Sequence, residues 1–392
     1  MAANTSVPKV VVQLQNMDQW KEPTAEQEAP LLAFVPQVVA KLQENGLWEG
    51  VRAEEVALHV VKASFGTLTP PLDSGASPVI LKLMVRDLTL HHPFKSWGKQ
   101  QTELAVACHM AWSDAGLAPP VLARTDEFLI EPLGELRAGG MWALENFVGN
   151  GVLAAKLHAA PTDWFTDHFR DMLQEVVPLL KEEPLGSALF PIAAGCLCRG
   201  ATKETLPPTE QVRTLMALLP RPFGEHAERV VNVHGDLWYT NVVHMVGGEA
   251  VFVDFEQSCV SSAVQDLREF SHLATTEAYL RAATGAKPSE RELYALHLEA
   301  CIASTVSGWL RDCFWFAGGL EKVEMIIARA PAFTALCVEL RLDHALNKAA
   351  MDLEDHFSGL DCVAYDSDGG DDDNNDVVDD GLVSAKTEGG DK

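Results

Sequence analysis

The chain of 392 residues has little positive charge, no CxxC spacing among its cysteines and no long uncharged apolar run. Its 30 lysines and arginines are outnumbered by 56 aspartates and glutamates, which gives a formal net charge of -26. Such an acidic chain repels nucleic-acid phosphates and anionic membrane surfaces, so we expect neither nucleic acid nor membrane as a partner. The spacing of the eight cysteines also disfavours a zinc site and a disulfide framework.

Two further absences narrow the class of protein. No apolar run reaches the roughly 20 residues that a membrane-spanning helix needs. The first segment, MAANTSVPKVVVQLQNMDQW, lacks the charged and then apolar pattern of a signal peptide. We therefore expect a cytoplasmic protein of undetermined oligomeric state. The motifs GxxxxGK[ST] and GxSxG are absent, which argues against a P-loop enzyme and a serine hydrolase.

What is present indicates an α+β fold with two lobes. The β-rich segments come early and the helical segments later, so the chain does not alternate as a doubly wound sheet would. We predict four regions. They are an extension with a helix at 1–50, a small β-rich lobe at 51–133, a larger mainly helical lobe at 134–360, and an acidic disordered tail at 361–392.

Periodicity and turn residues predict the elements within these regions. We expect a helix ending near Asn45-Gly46, two strands flanking a Gly/Pro/Ser-rich connection in 56–87, a helix stopping at Gly116, and a strand in FLIEPL. Later helices are expected in ALENFVGNGVLAAKLHAA, FRDMLQEVVPLLKEE and EQVRTLMALL, and at about 288–316 and 319–356. Between them, VVHM and AVFVDF flank Gly247-Gly248, a pair that favours a hairpin turn.

The segment VHGDLWYTNVVHMVGGEAVFVDFE carries the strongest indication of chemistry. Asp236 and Asn241 precede the predicted hairpin, and Asp254 follows its second strand. A hairpin returns the chain to its starting point, so Asp254 should lie beside Asn241. Carboxylate and amide oxygens suit Mg²⁺, which is completed by substrate phosphates. Phosphoryl transfer also requires an aspartate oriented toward the attacking hydroxyl.

This pair of motifs resembles the aminoglycoside phosphotransferase and choline/ethanolamine kinase family of the protein-kinase-like fold. The resemblance implies a bilobal kinase that uses ATP and Mg²⁺ to phosphorylate a small-molecule alcohol. It implies that Asp236 is the catalytic carboxylate and that Asn241 and Asp254 hold the metal. It covers roughly residues 55–320, and the two central motifs are its specific part.

Upstream segments extend the resemblance to nucleotide binding. SFGTLTP is similar to the family's nucleotide-covering loop, with the matching places taken by Gly66, Thr67 and Thr69. Lys82 in VILKLM resembles the strand lysine that holds the α- and β-phosphates, and Glu103 resembles its acidic partner on the next helix. In FLIEPL, the residues from Glu131 to Leu133 would face adenine.

Three other residues resemble structural parts of the family. His234 is similar to a histidine that holds the catalytic loop, and His158 is interpreted as structural too. Asp266 resembles an aspartate that braces the same loop.

The acceptor is less constrained by the sequence. Trp309 and Trp315 lie in STVSGWLRDCFWFAGG, which is similar in position to the tryptophan-bearing helix of choline kinases, and Glu256 offers a nearby carboxylate. Gln257 and Leu273 replace the tyrosine and the substrate-facing glutamate of choline kinases. A choline or ethanolamine kinase, an aminoglycoside or sugar kinase and an ATP-binding pseudokinase scaffold therefore all stay open. HGD in place of HRD and DFE in place of DFG disfavour a protein kinase.

Overall fold

The structure is a computed structural model that describes residues 25–62, 65–84, 99–136, 144–174, 178–198, 209–237, 239–268, 272–315 and 320–342. It has the predicted α+β composition, with a five-stranded antiparallel sheet early in the chain and helices predominating afterwards. The predicted acidic tail at 361–392 lies outside the described residues. Among those residues, none of the helices is long and apolar enough to cross a membrane.

The first sheet is preceded by a long helix, α1 (Ala25–Glu44). The strands are β1 (Ala57–Lys62), β2 (Phe65–Thr69), β3 (Val79–Leu83), β4 (Ala123–Arg124) and β5 (Phe128–Pro132). Their order in the sheet is β1-β2-β3-β5-β4, and every neighbouring pair is antiparallel. Helix α2 (Lys99–Asp114) connects β3 to β4.

One face of this sheet is covered by α1. Side chains alternate between the two faces of a strand, and Leu68, Leu81 and Ile130 share one face with full burial. They form a core with Leu31 and Val38 of α1. Lys82 lies on the other face of the sheet, opposite the face that packs against α1.

The later part of the chain is mainly helical and has its own core of apolar side chains. Its helices are α3 (Leu144–Ala159), α4 (Asp163–Gln174), α5 (Leu189–Cys198), α6 (Thr209–Leu218), α7 (Glu225–Glu228), α8 (Val264–Leu267), α9 (Leu273–Thr284), α10 (Glu290–Trp315) and α11 (Leu320–Leu342). Two small antiparallel sheets are embedded among them. Their strands are β6 (Glu135–Leu136), β7 (Val230–Val233), β8 (Val242–His244), β9 (Ala250–Phe252) and β10 (Cys259–Ser262). One sheet has the order β6-β8-β9, and the other pairs β10 with β7.

Most of the predicted elements are confirmed, with corrections at specific places. The helix α1 ends at Glu44, before the left-handed Gly46, and α2 ends at Asp114, before the left-handed Gly116. The expected strand pair in 56–87 is instead a three-stranded meander, because FGTLT forms β2. The helix expected in FRDMLQEVVPLLKEE begins earlier, at Asp163, and gives way to a short 3-10 helix at Pro178–Lys181.

Candidate active site

The predicted hairpin brings Asn241 and Asp254 together. Val242 pairs with Phe252, and the Val253 N–H donates to the Asn241 carbonyl at 2.9 Å. Asp254 therefore comes directly after Val253, which follows β9 and is still hydrogen-bonded to Asn241. Gly247 and Gly248 both have positive φ and close the turn, as their sequence predicts.

Asn241 contacts Asp236 directly. Its Nδ2 donates to the backbone carbonyl of Asp236 at 2.9 Å and to the carboxylate Oδ2 at 3.1 Å. Because both bonds use the amide nitrogen, the Oδ1 of Asn241 is the atom suited to bind a cation. The backbone thus places Asp236 and Asn241 at the entrance of the hairpin and Asp254 at its exit.

Asp254 has a backbone conformation that is uncommon for a residue with a side chain. Its φ is 68°, in the left-handed region. Such conformations are concentrated at functional sites, where the surrounding structure holds them. The flanking contacts at Val253 and Phe255 supply that constraint here. Val253 is bonded to Asn241, and the Phe255 side chain is buried.

The loop between β7 and β8 is fixed from behind by the buried Asp266. The Asp266 carboxylate accepts from the His234 N–H at 2.9 Å and from the Gly235 N–H at 2.9 Å. His158 lies 3.1 Å from the same carboxylate through Nε2. The structure thus confirms that Asp266 braces this loop and that His158 has a structural contact with it.

The pKa of Asp266 is lowered by this environment. Burial, the largest single influence, raises the pKa, but the hydrogen bond and charge of His158 oppose it. The electrostatic interaction with His234 and the Gly235 N–H add to the opposing effect, and the net direction is downward. The carboxylate that braces the loop is consequently ionised at neutral pH.

His234 joins the loop to the end of the hairpin. Its Nε2 lies 2.9 Å from the Val253 carbonyl oxygen, and only a protonated nitrogen can bond there. Its Nδ1 accepts from the Asp236 N–H at 3.3 Å. The predicted holding role of His234 is therefore confirmed, and the ring is oriented at both nitrogens.

Gly235 is a residue whose importance the sequence analysis missed. Its φ is 84°, and a Cβ there would lie 2.1 Å from the Gln257 carbonyl oxygen. Only glycine fits both the backbone conformation and the close approach. The signal available in the sequence was the glycine between His234 and Asp236.

The predicted nucleotide-covering residues lie in a strand instead of a loop. Gly66, Thr67 and Thr69 belong to β2, and residues 63–64 before this strand are outside the described residues. Packing explains why position 66 is a glycine, because a Cβ on Gly66 would lie 3.0 Å from the His59 carbonyl oxygen. The position beside an irregularity in the β1–β2 pairing explains this close approach.

Lys82 pairs with Glu131. The Lys82 Nζ lies 2.7 Å from Glu131 Oε1, and the glutamate is only 2% exposed. The predicted partner, Glu103, lies in α2, and its side chain is outside the described part of the structure. Glu131 was predicted only from its position near the hinge. The sequence contained an indication of this ion pair, namely a single carboxylate inside an apolar strand. A carboxylate that is buried in such a strand requires a partner.

His109 of α2 completes the surroundings of Glu131. Its Nε2 is 3.6 Å from Glu131 Oε2 and 2.9 Å from the Pro119 carbonyl oxygen, to which it donates. Burial lowers the pKa of His109, with Glu131 opposing and Lys82 reinforcing the shift. His109 is therefore neutral at pH 7, and Lys82 is the cation that balances Glu131.

The Lys82 face of the sheet has polar atoms suited to a nucleotide. Thr67 pairs with Ile80, and Ile80 with Glu131, so these three side chains share a face with Lys82. Several buried atoms on this face have no hydrogen-bond partner, namely His59 Nε2, Thr67 Oγ1, Thr69 Oγ1 and Glu131 Oε2. Unpaired buried polar atoms are costly, and a nucleotide offers both donors and acceptors. The residues present therefore fit the nucleotide that the resemblance implies.

The hard oxygen donors near the hairpin fit Mg²⁺ on chemical grounds. Asp254 and the Asn241 amide oxygen are ligands of the type that this cation takes. In the described residues, no group of three or more His, Cys, Asp or Glu side chains is arranged to hold a metal. The predicted pair differs from such a group because it includes an amide and relies on phosphate oxygens for the remaining ligands.

The remaining predicted residues are only partly described. Leu133 follows β5, and its N–H donates to the Pro78 carbonyl at 3.4 Å. Glu256 is half-buried beside Phe255. Trp309 and Trp315 lie in α10, but their side chains are outside the described part of the structure. The same helix lines a small cavity of about 40 Å³ with Ile302, Ala303, Val306 and Ser307, and Arg268 lines it as well.

Comparison with known proteins gives matches among solved structures alone. No family model and no curated protein matches the sequence. A choline kinase from Cryptosporidium parvum is similar over 81% of this chain and 99% of its own, with 12% identity and a TM-score of 0.48. An aminoglycoside phosphotransferase from Alicyclobacillus acidocaldarius covers 87% of this chain and 99% of its own, with 12% identity and a TM-score of 0.39. A phosphotransferase in a ternary complex with streptomycin and ATP covers 80% of this chain and 99% of its own, with 12% identity and a TM-score of 0.45.

All three structures are similar to this chain at low identity, and each has a TM-score below 0.5. With identities this low, the site's own residues must carry the functional conclusion.

Proposed function

We propose that this protein is an ATP- and Mg²⁺-dependent phosphotransferase that phosphorylates a hydroxyl group of a small molecule. One observation carries the proposal. Asn241 is hydrogen-bonded to the carboxylate of Asp236 at 3.1 Å, and its backbone is bonded to the residue before Asp254 at 2.9 Å. An aspartate, an asparagine and a second aspartate in this arrangement are the groups that phosphoryl transfer to an alcohol requires.

Asp236 is the proposed catalytic residue. The bond from Asn241 Nδ2 to Oδ2 restricts rotation of the carboxylate, which would accept the proton of the acceptor hydroxyl. The loop amides bound by Asp266 keep the backbone of Asp236 in place behind it. Asp236 thereby orients the hydroxyl before the proton moves.

Lys82, Asn241 and Asp254 form the proposed nucleotide-phosphate side of the site. Lys82 would contribute a cation for the phosphates, held on its strand by Glu131 at 2.7 Å. Asn241 Oδ1 and Asp254 would hold Mg²⁺. When bound, ATP supplies the γ-phosphoryl group and Mg²⁺ neutralises phosphate charge. The unpaired polar atoms of β1, β2 and β5 support a nucleotide on this face of the sheet, with residues 131–133 beside adenine.

For the acceptor, we propose a small alcohol that bears a cationic amine. The acidic charge of the chain, -26 in total, concentrates cations near its surface. Glu256 would contribute a carboxylate, and Trp309 and Trp315 would contribute aromatic faces. Each such face stabilises a cation by about 0.5–2 kcal/mol. Cys108, Cys259, Cys301 and Cys337 carry free thiols, which supports action in a reducing compartment such as the cytoplasm.

The test of phosphotransferase activity compares two aspartate variants. Asp236→Asn should bind Mg·ATP as the wild type does and should lose about 10²–10⁴-fold in turnover. Asp254→Ala should in addition bind Mg·ATP more weakly, which calorimetric titration with and without Mg²⁺ measures. Near-normal turnover by Asp236→Asn would disprove the catalytic assignment. Tight ATP binding without turnover on any alcohol in a metabolite library would instead indicate a pseudokinase scaffold.

The acceptor class is tested separately. We would measure kcat/KM for choline, ethanolamine, an aminoglycoside and a neutral sugar at equal ATP and Mg²⁺. The cationic acceptors should be preferred, and Trp309→Ala should reduce that preference. If the neutral sugar is the best acceptor and Trp309→Ala changes nothing, the cationic acceptor is wrong while the phosphotransferase proposal stands.

A further inference from the structure

A line of buried polar side chains runs from helix α9 to the loop that carries Asp236. The Tyr279 hydroxyl lies 3.1 Å from His158 Nδ1, and His158 Nε2 lies 3.1 Å from Asp266 Oδ2. Asp266 then accepts from the two loop amides at 234 and 235. Tyr279 and Asp266 are fully buried, and His158 is 2% exposed.

We propose that Tyr279 and His158 are positioning residues that act on Asp236 through Asp266 and the loop backbone. This inference rests on the proposed function, because its consequence for turnover presumes that Asp236 is catalytic. Asp266 itself touches the loop. Tyr279 and His158 do not, and they act by fixing the direction of its carboxylate.

The geometry leaves the carboxylate one orientation. Oδ1 is bound by the Gly235 N–H, and Oδ2 is shared by the His234 N–H and His158 Nε2. Asp266 is fully buried, and rotation of the carboxylate would break bonds on both of its oxygens. His158 cannot rotate either, because each ring nitrogen is committed, one to Asp266 and one to Tyr279.

The loop needs this support because its own backbone ladder ends at Val233. From residue 234 to residue 237 the chain belongs to no helix or strand. The N–H groups at 234 and 235 are bound by Asp266, and the Asp236 N–H donates to His234 Nδ1. All three amides around the proposed catalytic carboxylate are therefore held by side chains. The direction of Asp236 follows from those side chains.

Three substitutions separate positioning from general stabilisation. Tyr279→Phe removes one oxygen and keeps the ring, while His158→Gln retains an amide that can replace Nε2 but not the contact with Tyr279. We expect Tyr279→Phe and His158→Gln to lower kcat about 3- to 10-fold, the effect of one lost buried hydrogen bond. His158→Leu, which breaks both contacts, should lower kcat about 100-fold, as expected for a displaced catalytic group. KM for ATP and for the acceptor should stay within about twofold in all three, because uniform binding is unaffected.

Matched controls come from another part of the same lobe. His297 is buried in α10, where its Nδ1 lies 3.4 Å from Thr276 Oγ1, and Tyr294 packs against the same core. His297→Gln and Tyr294→Phe repeat the two chemical changes away from the loop. Both should leave kcat unchanged. A loss of kcat in the controls equal to that in Tyr279→Phe and His158→Gln would attribute the effect to stability and overturn the proposal.

Amide hydrogen exchange at His234 and Gly235 provides a measurement independent of activity. Exchange at these two amides should be faster in Tyr279→Phe and His158→Gln than in the wild type, and unchanged in the controls. Unchanged exchange in both variants would overturn the inference, even if kcat fell. If the wild type phosphorylates no acceptor while exchange responds as expected, the phosphotransferase proposal fails and the positioning of the loop stands. Should His158→Leu not fold, Tyr279→Phe decides the question by itself.

Discussion

Replacement of Gly235 by alanine tests the geometry of the loop that carries Asp236 most directly. A Cβ at this position would lie 2.1 Å from the Gln257 carbonyl oxygen and 2.8 Å from its carbonyl carbon. Both atoms belong to the backbone, so no side-chain rotation can relieve the contact. The loop and the segment at 257 would have to separate by more than about 1 Å to reach ordinary van der Waals distance.

The expected loss has two parts. Alanine in the left-handed conformation, here at φ 84°, costs about 1–2 kcal/mol relative to glycine. The displacement moves Asp236, the next residue, and a misplacement of about 1 Å can reduce turnover about 100-fold. We therefore expect Gly235→Ala to fold with reduced stability and to lose about 100-fold in kcat, measured by ADP release and by denaturant unfolding.

Gly285→Ala is the matched control. Gly285 has a φ of 72° but no atom within 4 Å of a built Cβ, so it has the backbone strain without the contact. It should lose stability and keep its kcat. If Gly235→Ala were as active as Gly285→Ala, the close approach of the loop to Gln257 would be wrong.

Three further predictions concern charged groups. The lowered pKa of Asp266 means that its ionised form stabilises the fold above the unfolded value near 3.9, and this contribution is lost as pH falls through the lower folded value. Asp266→Asn should therefore destabilise the protein more at pH 7 than at pH 3 in denaturant titrations, and an equal loss at both would contradict the shift. In a double-mutant cycle, Lys82→Met and Glu131→Gln should couple by about 0.5–3 kcal/mol in ATP affinity, whereas additive effects would exclude a functional pair. Arg341→Met should cost about 3 kcal/mol or more of unfolding free energy, because it leaves Glu299, 3% exposed and bound at 2.5 Å, without its cation. The exposed pair of Arg213 and Glu182 is its control, and Arg213→Met should cost less than about 1 kcal/mol.

The sequence was most informative where structure is local. The Gly247-Gly248 turn fixes the hairpin register, and this alone brings Asp254 back beside Asn241. The ends of α1 and α2, which lie just before Gly46 and Gly116, were predictable because glycine readily adopts the left-handed conformation. In each case, a few neighbouring residues determine the backbone, so their pattern is enough.

What the sequence did not predict depends on distant pairing. The partnership of Lys82 with Glu131 arises from the β3–β5 register, which sets residues about 50 positions apart on one face. Helix α5 was missed because LFPIAAGCLC is apolar on every side and has no helical period. The pairing of β7 with β10 was missed because nothing local indicates which strand a short apolar run will join.

The left-handed backbone of Asp254 also has a consequence for how this position responds to substitution. Glycine would adopt a φ of 68° without strain, so the fold by itself would favour glycine at 254 by about 1 kcal/mol. The proposed metal ligand must be an aspartate. Position 254 is thus one where thermal stability and activity call for different amino acids, and a selection for stability alone would tend to remove the activity.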